Sequence, residues 1–521
     1  MSAKKNKSSI TWIEVSWFAL AVAAVVFYFI ASGFVAFPDK YKMPLLIALI
    51  ALAACMAVLT FLNKKGKTAA GVVNVLLSAA MVAGSIFIPS LESRMKKIFT
   101  ELPESEEMTI NFYAFTTEYK EAHPEIMKAS NVMVTSNNIA DYSSSTFITQ
   151  SATDTDNQEF AVTTLLNELG RDSVMLAEKE DLGAALDAFY AGEGEVLVMN
   201  EAYLPMVTAI DGFENFSEET TVVYSVKKEV SSTGVPRTDK DVTREGFTVL
   251  VAGSDTRSSR LSQYGRTDVD ILMAVDPVNY QILIVSFPRD SYIPNPALND
   301  GYDKLTHLGN DGIGNTMVGI SNYVGVPVDH YVLVNFSTFR TIIDAIGGID
   351  IYNPYYFTSG HDAGYGEFPE GDIHLEGAQA LSYARERQNL PDGDFGRNTH
   401  QVIVLKAILS KLTSPEILTH YDDILNALEG QFLTSVDAGK IYELAGNTLD
   451  HDSGWKIVTY HMGGEGMYAE TISMPGRDLY CVRLFDSQTE YIKEEINKVL
   501  MGENIEEGEL PDAEDTVYLP N

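Results

Sequence analysis

Apolar positions are distributed in two ways along the chain. Near the N-terminus they are continuous: Val15–Phe37, Pro44–Leu62 and Ala69–Leu91 run for 23, 19 and 23 residues. Each is close to the ~20 residues that carry a helix across the hydrocarbon core of a bilayer. Three membrane-spanning helices are therefore predicted. A cleavable signal peptide would account for the first run alone, and three charge-poor core helices in tandem fit a soluble domain poorly. After Leu91 the apolar positions recur in short groups. Met108–Phe115 is β-rich, Glu159–Leu169 reads as a helix, Ser173–Ala177 as a strand and Asp181–Ala191 as an amphipathic helix. With strands at Glu195–Met199 and Thr220–Ser225, residues 105–226 form an α/β unit. Lys227–Glu245, with Pro236, reads as a polar linker. A second α/β unit occupies residues 246–500 and opens on apolar strands at Phe247–Gly253, Ile271–Val275 and Gln281–Phe287. Residues 1–97 are the anchor. Residues 502–521, with seven acidic and no basic side chains, are expected to be disordered.

Charge sharpens this division. The 521-residue chain is 45% apolar, and its 72 acidic against 37 basic residues leave a net −35. Residues 1–97 hold 11 of the basic and three of the acidic side chains, so the body is strongly negative. Such a body offers no footprint for a nucleic-acid backbone. Lys4, Lys5 and Lys7 precede the first run, and Lys64, Lys65 and Lys67 separate the second from the third. The positive-inside rule puts these clusters in the cytoplasm and everything beyond Leu91 outside the cell membrane. Arg94, Lys96 and Lys97 run against that rule and are read as a juxtamembrane helix whose cations meet lipid headgroups. Two cysteines, Cys55 and Cys481, exclude a disulfide scaffold and a Cys-rich zinc site.

Against this acidic background, arginines gather at strand ends. Asp255 and Arg257 follow the first strand, Arg266 and Asp268 open the second, and Arg289-Asp290 closes the third. Ligands of open α/β sheets collect at the carboxyl ends of strands. Asp270 shares a face with Asp268 in an unbroken pleat, and its role is unassigned. Downstream come Arg385-Glu386-Arg387, Asp394, Arg397 and Gln401. In an extended segment Arg385 and Arg387 point to one side and Glu386 to the other. A helix starting near Arg397, just after Gly396, would add backbone N–H groups to an anion site. Guanidinium forks match phosphate oxygens, and carboxylates beside them suit Mg²⁺, or Mn²⁺ as the alternative. The pattern points to a bound pyrophosphate or phosphodiester with a divalent cation. Ordinary Arg–Asp surface pairing is the other reading of the same spacing.

These residues resemble the LytR–CpsA–Psr family. The matching pieces are Gly253–Arg257, Gly265–Asp268, Ser286–Asp290, Asp329–Tyr331, Ile346–Asp350, Leu375–Leu381 with Tyr383–Arg387, and Asp394–Gln401, in family order over about residues 246–410. Three spans followed by an accessory domain are similar to the capsule-associated branch. The resemblance implies an α-β-α sandwich with an apolar tunnel for a polyprenyl chain. It also implies transfer of a glycopolymer, a capsular polysaccharide in that branch, from an undecaprenyl-pyrophosphate carrier to peptidoglycan. The C6 hydroxyl of N-acetylmuramic acid would be the acceptor. Asp255 and Asp268 match the family's metal ligands; Arg257, Arg266, Arg289, Arg385, Arg387 and Gln401 match its pyrophosphate-gripping positions, joined here by Arg397. Asp290 is the candidate base beside the catalytic arginines 289, 385 and 387. His400 departs from the family, which often has Arg there. Apolar residues between Met317 and Ile351 (Val324, Val326, Leu333, Phe336, Phe339, Ile342, Ile343 and Ile346) are candidates for the tunnel wall, or for plain core.

Two other functions fit parts of the sequence. One is a polyprenyl-pyrophosphate-binding protein or lipid pyrophosphatase, which needs the same cradle. The other is a membrane-anchored regulator of capsule synthesis. Only short segments lie on the cytoplasmic side, so direct DNA contact is disfavoured.

Overall fold

The computed structural model describes residues 11–511 except 35–36, 63–66, 99–104, 125, 127–137, 152–153, 232–234, 237, 255–260, 362, 365, 415–431 and 452–453. Three helices form the N-terminal part: α1 (Trp12–Ser32), α2 (Asp39–Ala57, prolonged by a π-helical turn at Val58–Leu62) and α3 (Lys67–Ile98). All three are long and apolar enough to cross a membrane. Helix association in lipid relies on close packing and interhelical hydrogen bonds, and both are present. Asn74 Nδ2 donates to Ser16 Oγ (3.3 Å) and Thr60 Oγ1 (3.1 Å) inside the bundle. Gly71 and Gly84 sit under the rings of Trp12 and Phe27, where a Cβ would come within 2.8 and 2.7 Å.

The accessory domain is a five-stranded sheet in the order β3-β2-β4-β1-β5, from β1 (Ser105–Phe115), β2 (Thr146–Gln150), β3 (Met175–Lys179), β4 (Val196–Asn200) and β5 (Thr220–Ser231). Alternation along β1 feeds a core on each face. Ile110 and Phe112 pack against helix α4 (Thr155–Leu169), while Tyr113 and Phe115 pack against α5 (Leu182–Tyr190).

The second domain holds a six-stranded sheet of β6 (Phe247–Ser254), β7 (Thr267–Asp276), β8 (Gln281–Phe287), β9 (His330–Asn335), β10 (Leu433–Thr434) and β11 (Lys456–His461). Its order is β10-β9-β6-β7-β8-β11, with β6/β9 and β8/β11 parallel and the other pairs antiparallel. Leu250, Ala252, Leu272 and Ala274 face helices α6 (Ile313–Val324) and, near the C-terminus, α11 (Asp486–Leu500). The opposite face, with Val249, Ile271, Met273 and Val275, looks toward α9 (Gly393–Leu412) and α10 (Ala438–Asp450). This is an α-β-α sandwich. Helices α7 (Phe336–Ala345) and α8 (Gly377–Arg385) and short ladders at residues 349–375 form a satellite core beside it.

A long hairpin, β12 (Gly464–Thr471) and β13 (Met474–Leu484), joins the two domains. Met474 is fully buried in the accessory core, and the Arg477 guanidinium lies 5.0 Å from the Phe213 ring centre and 2.5 Å from Asp187. Of the tail expected to be disordered, residues 512–521 lie outside the described residues, and the first part is docked on the second domain. Over residues 502–511 it lies on the sheet edge: Ile505 is buried and its N–H donates to Gln281 Oε1 at 3.3 Å. An acidic composition disfavours folding alone, but one apolar anchor and backbone hydrogen bonds suffice to dock a short segment. Both cysteines are free, and Cys481 is buried.

Near this hairpin, two carboxyls from different domains titrate abnormally. Burial pushes Asp154 of the accessory domain up to about 6, although Asn157 and Gln158 donate to it. Burial, with the Asp154 charge adding to it, pushes Asp311 of the second domain up to about 7. Folded-state values above the unfolded one mean that their contribution is complete below about pH 4 and lost as pH rises through 6–7. The melting temperature of the solubilised full chain is therefore expected to fall between pH 5 and 8. Asp311→Asn should remove a pH-dependent part on the order of 2 kcal/mol. An unchanged pH slope in that variant would show that the interface does not bury this charge.

Candidate active site

One edge of the six-stranded sheet collects the charges. The end of β6, the start of β7 and the ends of β8 and β9 all lie there, because β7 runs antiparallel to both its neighbours. Gly265, at φ 136°, turns the chain into β7. It also packs so closely on Gly309 that a Cβ on Gly309 would meet its carbonyl oxygen. A β-bulge follows: Gly253 pairs with Val269 but Ser254 with Thr267, so Asp268 is the extra residue. The bulge turns Asp268 toward the cavity and separates it from Asp270, which pairs with Ala252 and Phe287 and is 1% exposed. The shared face expected of these two aspartates is thus broken. Burial pushes Asp270 up to about 8, keeping it neutral.

Asp268 is held in the opposite state. Burial would raise it, but Arg289, Arg266 and Arg397 keep it ionised, with its pKa lowered to about 2. Arg289 Nη1 donates to Asp268 Oδ1 at 2.9 Å, and Arg266 Nη2 stands 4.0 Å from the same oxygen. Arg397 Nη2 lies 2.8 Å from Asp394 Oδ1, one helical turn away. Yet Arg289 Nε and Arg397 Nε and Nη2 are buried without an aligned hydrogen-bond acceptor. Buried guanidinium donors left unfilled beside a cavity are suited to an anionic ligand with several oxygens.

The second arginine group comes from the end of α8. Arg385, Glu386 and Arg387 all line the cavity. Arg385 lies over the Phe336 ring, 4.5 Å from its centre. Glu386 is 2% exposed and accepts backbone N–H bonds from Gly360 (2.5 Å), Arg387 (2.9 Å) and Asn389 (2.9 Å). Burial opposes its ionisation, but these N–H groups hold its pKa below the usual range. Its role is to fix the turn carrying Arg387, which alternation alone does not reveal. Helix α9 starts at Gly393 rather than near Arg397, so Arg397 and Gln401 project from its first turns onto the cavity instead of from a helix N-terminus.

Asp290, expected to be the base, does not line the cavity. Lys304 Nζ lies 3.1 Å from its Oδ1, and Arg289 Nε 3.6 Å from its Oδ2. Burial would raise its pKa, but Lys304 and Arg289 lower it, so it is a poor proton acceptor and acts as a brace behind Arg289. Lys304 belongs to no motif, and nothing local in the sequence points to its pairing with Asp290. His400 is likewise internal: it stacks on Tyr383 at 4.0 Å, its Nδ1 lies 3.1 Å from the Tyr383 carbonyl oxygen, and burial lowers its pKa to about 4. It does not line the cavity. Asp255 and Arg257 lie outside the described residues. Asp268, ionised and facing the cavity, fits one carboxylate of a hard-cation site. Among the described residues no group of three or more ligating side chains is present.

From this cluster a cavity of about 2090 Å³ runs between the sheet and helices α9 and α10. Its walls turn apolar: Val249, Val251, Ile271 and Met273 from the sheet, Phe336, Phe339 and Ile342 around α7, and Leu405, Ile408 and Leu412 from α9. Of the expected tunnel residues, Phe336, Phe339 and Ile342 line it. Val324, Val326 and Leu333 belong to the core on the other face of the sheet, and Ile343 and Ile346 to the satellite core. Strand parity decides this: Val332 and Val334 flank Leu333 and face the cavity in its place.

The description LytR_cpsA_psr family matches residues 212–480, just over half of the chain. The chain belongs to this family. The LytR_cpsA_psr match contains every arginine of the site and leaves the three spans outside it. A polyisoprenyl-teichoic acid–peptidoglycan teichoic acid transferase, TagU, of Enterococcus faecalis is 33% identical over 44% of this chain and 74% of its own length. A Bacillus anthracis protein of the same name is 33% identical over 40% of this chain and 66% of its own. The crystal structure of B. subtilis TagV aligns with 50% of this chain and 98% of that one, at 26% identity and a TM-score of 0.43.

Proposed function

We propose that this protein is a phosphotransferase that moves a lipid-linked glycopolymer from a polyprenyl pyrophosphate to peptidoglycan at the outer face of the cell membrane. The observation that carries this reading is one cavity that joins buried guanidinium donors to an apolar stretch between the sheet and helices α9 and α10, with a polar rim from the accessory domain. A diphosphate with a long hydrocarbon tail matches both ends. The three-span anchor and accessory domain favour a capsular polysaccharide as the polymer, in place of the teichoic acid named for the relatives. The lysine clusters support a cytoplasmic N-terminus with both folded domains outside.

The acceptor hydroxyl of the glycan strand attacks the sugar-side phosphorus. A new P–O bond forms as the P–O bond to the carrier breaks, polyprenyl phosphate leaves, and the hydroxyl proton passes to a phosphate oxygen or to water. In such a transfer, catalysis is mostly positioning and charge stabilisation. Arg266, Arg289, Arg385, Arg387 and Arg397 receive the charge shifting onto the leaving phosphate, and Gln401 orients it. Asp268, with Asp255, would hold Mg²⁺, which when bound neutralises part of the diphosphate charge. Neither Asp268 nor Asp290 has the pKa of a general base, and no base is assigned.

The test uses the full chain in lipid nanodiscs with a polyprenyl-linked polysaccharide donor and peptidoglycan. Polymer bound to glycan strands, with equimolar polyprenyl phosphate, is the expected product. Polymer released with a free terminal phosphate would make the protein a lipid pyrophosphatase. Ala445 lies on the cavity wall in α10. Ala445→Trp should narrow the tail's channel and cut turnover of a long-chain donor about tenfold or more, with a short-chain donor little affected. Equal turnover of the long-chain donor would remove the tail from this cavity.

A further inference from the structure

The apolar end of the cavity does not stop at the sandwich. Phe34, after α1, and Phe87 and Leu91 of α3 line the same cavity as the arginines. Phe87 and Leu91 are one turn apart on one helical face. Phe87 lies six residues before Ser93, where the apolar span ends, hence about 9 Å deeper along the helix. That depth belongs to the acyl chains and not to the headgroups.

Two helices lead from this opening to the site. On α10, Ile441, Leu444, Ala445, Thr448 and Leu449 line the cavity at helical spacing. On α9 the cavity-facing residues change from Arg397 and Gln401 to Leu405, Ile408 and Leu412, a distance of about 22 Å along the axis. The far end of α10 is fastened to the anchor. Asp450 Oδ2 accepts the N–H of Asp39 (2.7 Å) and Oδ1 that of Lys40 (3.1 Å). These are the first N–H groups of α2, whose own N-cap, Pro38, supplies no side-chain acceptor.

We infer that the lipid-linked substrate enters laterally from the bilayer leaflet facing the second domain, through a mouth between α3 and the last turn of α10. Asp450 is the clasp that keeps this mouth on the membrane. The inference rests on the phosphotransferase reading and adds the route and the positioning residue. A polyprenyl tail following this path passes from acyl chains to apolar wall without exposing its methylenes to water, which is unfavourable for each one exposed.

The test uses the full chain in nanodiscs and two donors: one with a long polyprenyl tail resident in the bilayer, one with a short tail added from water. Asp450→Ala should slow the resident donor about five- to tenfold, the population effect of losing one helix cap, and leave the short donor within twofold. A benzophenone side chain in place of Phe87 should cross-link the resident donor strongly, whereas one in place of Phe18, which is equally exposed but does not line the cavity, should capture it no more than bilayer lipid. Equal slowing of both donors, or equal capture at both positions, overturns the lateral mouth. A wild-type chain that transfers neither donor removes the phosphotransferase reading and leaves the Phe87 capture to decide the route.

Discussion

Arg289→Lys is expected to lower the transfer rate by about 10²–10³, although the positive charge is kept. Arg289 does three things that one ammonium group cannot combine. Its Nη1 holds Asp268 at 2.9 Å, its Nε lies 3.6 Å from Asp290, and that Nε still lacks an aligned acceptor within the protein. A planar fork spans two carboxylates and presents further donors to a diphosphate at fixed angles; a lysine makes one contact and is strongly hydrated. Asp268 and Asp290 both raise the affinity of Arg289 for its proton, so the charge is permanent at any working pH. Asp290→Asn should cause a smaller loss, within about tenfold, because Asp290 braces Arg289 and does not reach the cavity. Steady-state rates of polymer attachment for the two variants separate the roles. A Lys variant within about threefold of the parent would mean that charge alone matters and the fork does not.

How far the sequence leads can be followed residue by residue. The spans are legible because each is a continuous apolar run, and the first part of the arginine cluster because Arg266 and Arg289 sit at strand ends that the topology places on one edge. What stays hidden depends on contacts that no local pattern carries. The bulge that turns Asp268 from Asp270 depends on pairing with β6, so a two-residue period misplaces them. Asp290 resembles a base until Lys304 is seen against it. Glu386 reads as an outward charge in an alternating segment but is buried on three backbone N–H groups. Met474 lies in a hairpin of the second domain yet completes the accessory core. The clasp joins residues 411 positions apart.

Asp268→Asn is expected to abolish divalent-dependent transfer and to change the response to anions in a way that reports on the site itself. The wild-type carboxylate offsets one unit of the positive charge shared by Arg289, Arg266 and Arg397. Its folded pKa is depressed to about 2, so its stabilising effect is present above about pH 4 and lost as pH falls through 2. Asparagine removes that charge at every pH, and although Arg289 keeps Asp290 and Arg397 keeps Asp394, the cluster loses the carboxylate nearest to Arg289 and Arg266, a destabilising change. Inorganic pyrophosphate without metal should then restore part of the loss, since its negative charge replaces the one removed and its oxygens can meet the donors without an aligned acceptor on Arg289 and Arg397. The melting temperature of the variant should rise with pyrophosphate more steeply than that of the parent, in which Asp268 repels the anion. The measurement is thermal unfolding of the solubilised full chain over a pyrophosphate titration, with sulfate as the control for ionic strength. If the variant and parent shift equally, the three arginines do not converge on an anion, and Asp268 pairs with them only as a structural charge.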